Sequence, residues 1–190
     1  MKRIGILGGT FNPIHIGHLT IAQMVCEQLK LDKVLFVPSN LPPHKSGKNI
    51  ASSKDRAHMV RLAIRGNSRF QFSDFEIKKK GKSYSIDTVT YFRDLYPRGT
   101  KLFFIIGSDL LFMLDTWRRI NEVQKIVTFA AVHRPGFKGK RSRVKVKRIT
   151  IPGLQTSSSY VRERLISGKT VKYLVPDNIL KYIKDKKLYR

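Results

Sequence analysis

The chain has 190 residues, of which 41% are hydrophobic, and its formal net charge is +25 at pH 7. This size and composition suit one globular domain over residues 1–190, and they exclude a membrane-spanning protein, because the longest apolar stretch (102–114) is short and interrupted at 107–109. Cys26 is the only cysteine, which excludes an internal disulfide and favours a reducing, cytoplasmic setting.

The positive charge has two interpretations. It suits either nucleic-acid binding or small anionic substrates on a generally basic surface. Residues 138–148 carry seven Lys and Arg side chains but no aromatic residue that could stack on a base. We therefore expect small anionic substrates rather than nucleic acid, and both a monomer and a homo-oligomer stay open.

The first half of the chain alternates predicted strands and helices. Residues 3–7 predict a buried strand that Gly8 and Gly9 interrupt, and apolar residues spaced by three and four then predict a helix from His18. Strands follow at 33–38 and 70–75. Between them a helix opens at Ser52, which could form a capping box with Asp55.

The second half continues the alternation. A helix is predicted at 86–95, buried strands at 102–106 and 126–132, a helical region at 110–122 between them, and a last strand at 148–151. Helices then begin at Ser157 and Pro176, so the C-terminal part from about 157 is helical. The alternation predicts an α/β, Rossmann-like, doubly wound sheet that is mostly parallel, with helices on both faces and ligands beyond the carboxyl ends of its strands.

Common nucleotide and metal motifs do not fit. The glycines lack the dinucleotide-binding spacing, and the two Gly-Lys-Ser/Thr triplets at 81–83 and 168–170 lack the first glycine of a phosphate-binding loop. His15 and His18 have no third ligand at a convincing spacing, so we expect no zinc site.

The segment GGTFNPIHIGH at residues 8–18 carries the strongest functional signal. Gly8 and Gly9 let backbone amides approach a phosphate, and Gly17 leaves room over the first helical turn. His15 and His18 can project to one side of that turn, near the positive end of the helix dipole. The alternative is a tight turn with a polar cap in which each histidine is satisfied separately.

This segment resembles the T/H-x-G-H motif of the nucleotidylyltransferase superfamily, which transfers a nucleotidyl group with release of pyrophosphate. Residues 42–45, 83–88, 107–109, 134–136, 157–162 and 168–176 resemble the family of bacterial nicotinate-nucleotide adenylyltransferases. The resemblance implies transfer of AMP from ATP to nicotinate mononucleotide in NAD biosynthesis, by direct attack without a covalent intermediate. A sibling enzyme with another acceptor, such as phosphopantetheine or nicotinamide mononucleotide, is the alternative.

The resemblance implies two sets of site residues, with His15 and His18 as the catalytic pair. The ATP-binding set is Gly8, Gly9, Thr10, Phe11, His15, Gly17, His18, Gly107, Asp109, Ser157, Ser158 and Arg162. The acceptor set is Asn40, His44, Lys45, Tyr84, Thr88, Trp117 and Arg134. Mg²⁺ is expected as a cofactor bound mainly by the triphosphate and water. Each residue also has a structural alternative, and for Trp117 it is a core position on a helical face with Leu110 and Leu114.

Overall fold

The computed structural model describes residues 1–40, 50–79, 81–133, 143–151 and 156–190. Within these residues six strands form one parallel sheet in the order β3-β2-β1-β4-β5-β6. The strands are β1 (Arg3–Gly9), β2 (Lys33–Pro38), β3 (Phe70–Phe72), β4 (Lys101–Gly107), β5 (Val127–His133) and β6 (Val146–Thr150). This architecture confirms the predicted Rossmann-like fold, and its strand order reverses between β1 and β4.

Helices connect the strands and follow the last one. They are α1 (Ile16–Gln28), α2 (Ser53–Ile64), α3 (Phe75–Lys78), α4 (Ser85–Leu95), α5 (Ile120–Ile126), α6 (Ser158–Ile166) and α7 (Asp177–Asp185), with a 3₁₀ helix at Ser108–Thr116. The predicted caps are present, because the Asp55 amide donates to the Ser52 hydroxyl at 3.0 Å and the Tyr160 amide to Ser157 at 3.1 Å. Pro176 is the cap of α7, one position before its first turn.

The sheet is buried on both faces, which explains why its strands are almost continuously apolar. Alternate residues of each strand point to opposite faces, so that Phe103 and Ile105 of β4 join one hydrophobic cluster while Phe104 and Ile106 join the other. The first cluster packs against α1, α2, α6 and α7, and the second against α4, α5 and the 3₁₀ helix. The C-terminal segment thus shares its core with the N-terminal helices.

Two sequence expectations are wrong in detail. Gly8 and Gly9 do not end β1, because they pair with Val37 and Pro38 of β2 and the strand continues through them. The region 110–122 is not one α-helix, since a 3₁₀ helix at 108–116 precedes α5. Its buried positions recur every three residues, which is the period of a 3₁₀ helix rather than an α-helix. They are Ser108, Leu111 and Leu114, followed by the half-buried Trp117.

Candidate active site

The candidate site lies at the carboxyl edge of the sheet around the point where the strand order reverses. Three connections lie there. They are the segment 10–15 after β1, Ser39 and Asn40 after β2, and the 3₁₀ helix after β4. We call the segment 10–15 the nucleotide loop. Because adjacent parallel strands end at the same edge, residues distant in sequence converge at this crevice.

His15 and His18 form a pair at the start of α1. His15 is the N-cap residue and is buried, whereas His18 is half-buried, and their ring centroids are 3.7 Å apart. The His15 amide donates to Nδ1 of His18 at 3.2 Å. A neutral His18 ring therefore carries its proton on Nε2, which makes Nε2–H the donor that this side chain can offer to a ligand.

Gly17 is needed because the helix start is crowded. A Cβ atom at this position would lie 2.9 Å from Cγ2 of Thr156 and 3.0 Å from the His15 ring. The Ile16 amide, by contrast, is already used, since it donates to the carbonyl of Leu174 at 2.9 Å. The histidine side chains are therefore better placed than this first amide to receive a phosphate.

The sharp turn of the nucleotide loop occurs at Phe11 and not at the preceding glycines. Phe11 has a φ of 48°, in the left-handed region, and its buried ring contacts the edge of His18 at a centroid distance of 5.0 Å. A Cβ at Gly9 would come within 3.2 Å of the Phe11 ring. Glycine at position 9 therefore makes room for a ring that packs against His18.

Residues from the far end of the chain hold the nucleotide loop. The Arg162 guanidinium donates to the Asn12 carbonyl at 2.8 Å, and the Ser158 hydroxyl donates to the Pro13 carbonyl at 2.9 Å. The Asn12 side-chain oxygen accepts from the buried hydroxyl of Tyr189 at 2.8 Å and from the Ala51 amide at 3.0 Å. The start of α6 is thus brought against the histidine motif, as the predicted ATP-binding set requires.

Arg56 joins the nucleotide loop to the end of β2. Its side chain is 1% exposed, and its guanidinium donates to four main-chain carbonyls. The acceptors are Thr10 and Ser39, both at 2.7 Å, Asn40 at 3.0 Å and Ala51 at 3.1 Å. Burial lowers the pKa of this guanidinium from its usual value.

We call Asn40, residues 76–79 and 81–88, and Trp117 the acceptor side, after the predicted acceptor residues among them. The Asn40 amide donates to the Ser83 hydroxyl at 3.2 Å, and its side chain donates to the Lys79 carbonyl at 3.3 Å. Tyr84 is the N-cap of α4 and lies under the guanidinium of Arg118, 4.8 Å from the ring centroid. Asn40 is thus hydrogen-bonded to Ser83, the residue that precedes Tyr84.

Thr88 is fully buried, and its hydroxyl donates to the Glu76 carboxyl at 2.6 Å. Burial raises the pKa of Glu76, and the hydrogen bonds from Thr88 and Ser83 oppose that rise. Lys79 and Asp87 form an ion pair beside this cluster. The Thr88 hydroxyl already donates its proton to Glu76. That Thr88 contacts the acceptor substrate stays a prediction.

Trp117 ends the 3₁₀ helix and is half-buried. The ring meets Phe104 and Phe129 edge-on, at centroid distances of 5.7 and 6.0 Å. It therefore anchors the second hydrophobic cluster while part of the indole stays accessible. Leu110, which we expected on the same face, is exposed, because the three-residue period turns it outwards.

The carboxylate of Asp109 folds back over Gly107 at the carboxyl end of β4. In the part of the chain that the structure describes, no group of three or more His, Cys, Asp or Glu side chains could hold a metal ion. No helix among the described residues is long and apolar enough to cross a membrane. Of the predicted acceptor residues, His44, Lys45 and Arg134 lie outside the described ranges, as does the first part (138–142) of the basic run 138–148.

Several buried polar groups at this edge escaped the sequence interpretation. Arg56 and Tyr189 are two of them, and the buried hydroxyls of Ser39, Ser108 and Thr156 have no hydrogen-bond partner anywhere in the described ranges. Ser39 and Ser108 follow β2 and β4 directly. Since buried hydroxyls are normally hydrogen-bonded, these three are candidates to contact a ligand. The sequence indicated only where these three residues lie, because each stands in a predicted loop at the ligand-binding edge of the sheet.

Comparisons with known proteins agree with this geometry. A cytidylyltransferase-like family model matches residues 6–164. Proteins from Shouchella clausii and Oceanobacillus iheyensis, each named "Probable nicotinate-nucleotide adenylyltransferase", are 45% and 43% identical over 189 residues, covering all of this chain and 97% of theirs. A structure of Plasmodium falciparum nicotinic acid mononucleotide adenylyltransferase complexed with NaAD superposes with a TM-score of 0.84 at 22% identity, covering all of this chain and 98% of that one.

Proposed function

Because the chain belongs to the nicotinate-nucleotide adenylyltransferase family, with a cytidylyltransferase-like domain, we propose that it transfers the adenylyl group of ATP to nicotinate mononucleotide. The products are nicotinate adenine dinucleotide and pyrophosphate, in NAD biosynthesis. The observation that carries this proposal is the His15–His18 pair, 3.7 Å apart at the start of α1 and beside the strand-order reversal.

The reaction needs positioning and charge neutralisation more than proton transfer. A 5′-phosphate oxygen of the mononucleotide attacks the α-phosphorus of ATP, and the bond from that phosphorus to the oxygen bridging to the β-phosphate breaks. Pyrophosphate leaves with the electron pair. Because the attacking oxygen is already ionised near neutral pH, no general base and no covalent intermediate are required.

His18 supplies the donor that this step needs most. Its Nδ1 accepts a hydrogen bond from the His15 amide, which makes Nε2–H the ring donor, and we assign that donor to the negative charge that develops around the α-phosphorus. His15 lies against the same ring from the buried side. A pre-oriented donor is effective because it need not reorganise during the reaction.

The start of α6 completes the triphosphate side. Arg162 has five N–H donors, and the structure uses only some of them, on the Asn12 carbonyl and on the Ser159 hydroxyl at 3.2 Å. The remaining donors suit bidentate contact with phosphate oxygens. We assign Ser157, Ser158 and Arg162 to the β- and γ-phosphates, with Thr10 and Asp109 on the nucleoside part.

The acceptor is assigned to the other side of the crevice. The accessible part of Trp117 suits stacking on a pyridine ring, and we assign Tyr84 and Asn40 to the same substrate. The family resemblance adds His44, Lys45 and Arg134 for the mononucleotide phosphate.

Mg²⁺ fits as an ion carried by ATP rather than one bound by this protein, because the described residues offer no metal-binding group. When bound, it neutralises triphosphate charge. We further propose that residues 1–190 act as one domain in a reducing, cytoplasmic setting. The shared core of the C-terminal and N-terminal helices and the single, buried Cys26 support this.

The test is an acceptor screen. Purified protein with ATP and Mg²⁺ is given nicotinate mononucleotide, nicotinamide mononucleotide or phosphopantetheine, and pyrophosphate release is measured. We expect the highest kcat/KM with nicotinate mononucleotide. Release with another acceptor and none with nicotinate mononucleotide would overturn the assignment of the acceptor, and no release with any of them would overturn the proposed activity.

A further inference from the structure

Arg56 is the residue whose environment the proposed chemistry does not explain. It is the fourth residue of α2, and its side chain runs back towards the start of that helix, where Nε donates to the Ala51 carbonyl. It is 1% exposed, and none of the ion pairs among the described residues includes it. Burying a cation without a carboxylate partner costs free energy unless its N–H groups are hydrogen-bonded. The Arg56 guanidinium therefore needs hydrogen-bond acceptors around it.

Main-chain carbonyl oxygens are the acceptors for the Arg56 guanidinium. Nη1 donates to Thr10 and Ser39, Nη2 to Asn40, and Nε to Ala51. Four of the five guanidinium N–H groups are thereby used on main-chain acceptors from three segments. The planar guanidinium fixes the directions of these bonds, which the compact ammonium group of lysine cannot do.

Three of the four acceptors belong to the two substrate sides, and the fourth, Ala51, precedes α2. Thr10 lies in the nucleotide loop, two residues from Asn12 and five from His15. Ser39 and Asn40 follow β2 and begin the acceptor side. The Ser39 amide also donates to the Gly9 carbonyl at 2.9 Å, so the two strand ends are already adjacent before Arg56 crosslinks them.

From this arrangement we propose that Arg56 is a positioning residue, which holds the nucleotide loop and the start of the acceptor side at the separation that in-line attack requires. The proposal rests on the proposed function, because it presumes two substrates meeting at this edge. Its positive charge, which no carboxylate neutralises among the described residues, also favours the approach of two phosphate-bearing substrates.

The experiment compares Arg56→Lys and Arg56→Gln with Arg61→Lys and Arg61→Gln. Arg61 is on the same helix but exposed, and its guanidinium lies over the Phe72 ring and pairs with Asp74. Steady-state kinetics with ATP and nicotinate mononucleotide give kcat and both KM values per folded molecule. We expect Arg56→Lys to lower kcat about 30-fold, since small misplacements of reacting groups have effects of this order. Both KM values should stay within about three-fold, because neither substrate contacts Arg56.

Amide hydrogen exchange supplies a second readout that does not depend on turnover. In Arg56→Lys the amides of residues 10–12 and 39–40 should exchange faster, while α6 keeps its protection. The Arg61 variants should match the original protein in both measurements.

Three results would overturn the proposal. They are an unchanged kcat per folded molecule in Arg56→Lys, a rise in both KM values at constant kcat, and failure of both Arg56 variants to fold, which would make the residue a folding determinant only. Absence of activity in the unsubstituted protein would instead overturn the proposed function, so the two failures are distinguishable.

Discussion

The two sides of the crevice are held by contacts of very different sequence range. The nucleotide loop depends on Arg162, Ser158 and Tyr189, which lie 150, 145 and 177 residues away from their partners in the loop. On the acceptor side, Glu76 and Thr88 are 12 residues apart, and Lys79 and Asp87 are 8 apart. The comparison indicates that the nucleotide loop, which we assign to the triphosphate, depends on contacts across the whole fold, whereas much of the side that we assign to the acceptor is held by local contacts.

The largest effect is expected where the two sides meet. His18→Ala should lower kcat about 10²–10³-fold, the usual cost of removing one pre-oriented donor from a developing anion. ATP affinity, measured by calorimetry without acceptor, should change much less, because the loop is held by residues other than His18. Pyrophosphate release gives the rate.

His58→Ala is the matched control, since His58 is exposed on α2 and stacks on Tyr182 rather than on a site residue. His18→Gln, which keeps an N–H donor, should recover part of the rate. Unchanged turnover in His18→Ala would contradict its assigned role.

Trp117→Ala tests the acceptor side alone. It should raise the KM for nicotinate mononucleotide about ten-fold, because loss of an aromatic contact costs about 1 kcal/mol or somewhat more. The KM for ATP should be unaffected. Trp117→Phe keeps a ring against Phe104 and Phe129. Its KM for nicotinate mononucleotide should lie between the values of the original protein and Trp117→Ala. Equal rises in both KM values would instead make Trp117 a core residue only.

Tyr189→Phe tests the long-range side. It removes the hydroxyl that donates to Asn12 and keeps the buried ring, at a cost of about 1 kcal/mol for one hydrogen bond. We expect the KM for ATP to rise about five-fold and the KM for the acceptor to stay constant. Tyr173→Phe, at an exposed tyrosine, is the control. A larger effect on the acceptor than on ATP would contradict the division into two sides.

The smallest effect concerns stability and pH. Burial raises the pKa of Glu76 above its ordinary 4.5, so as pH rises from 4.5 the unfolded chain loses this proton before the folded protein does. The free energy of unfolding therefore falls across that window. Glu76→Gln has no proton to lose, and its stability relative to the original protein should increase from pH 4 to pH 7.

Urea unfolding at several pH values measures this difference, with the exposed Glu163→Gln as control. A stability difference that stays constant with pH would show that Glu76 does not titrate differently in the two states. The KM for ATP should be unchanged in Glu76→Gln, as a local acceptor-side cluster requires.

Features carried by local chemistry could be predicted from the sequence. The caps at Ser52 and Ser157 follow from hydroxyls before an amphipathic run, and the histidine pair follows from its spacing across a helix start. The parallel sheet follows from alternating apolar runs. The 3₁₀ helix was missed because Leu110, Leu114 and Trp117 also fit the α-helical period.

Other features depend on tertiary contacts that no local pattern encodes. Arg56 stands in an ordinary helical segment, and only the convergence of Thr10, Ser39 and Asn40 makes it a buried crosslink. The role of Gly9 likewise depends on where the Phe11 ring folds back. A single arginine in a helix is usually solvated, so nothing in the sequence around Arg56 indicates its buried environment.

The bond from Tyr189 to Asn12 also has a consequence for the order of events during synthesis. A ribosome adds residue 189 long after the segment around Asn12 has emerged, because the two residues are 177 positions apart. The hydrogen bond from the Tyr189 hydroxyl to Asn12 therefore forms only at the end of synthesis, when most of the sheet can already have assembled. Nucleotide-binding competence should consequently arise late on a nascent polypeptide, after the parallel strands have paired.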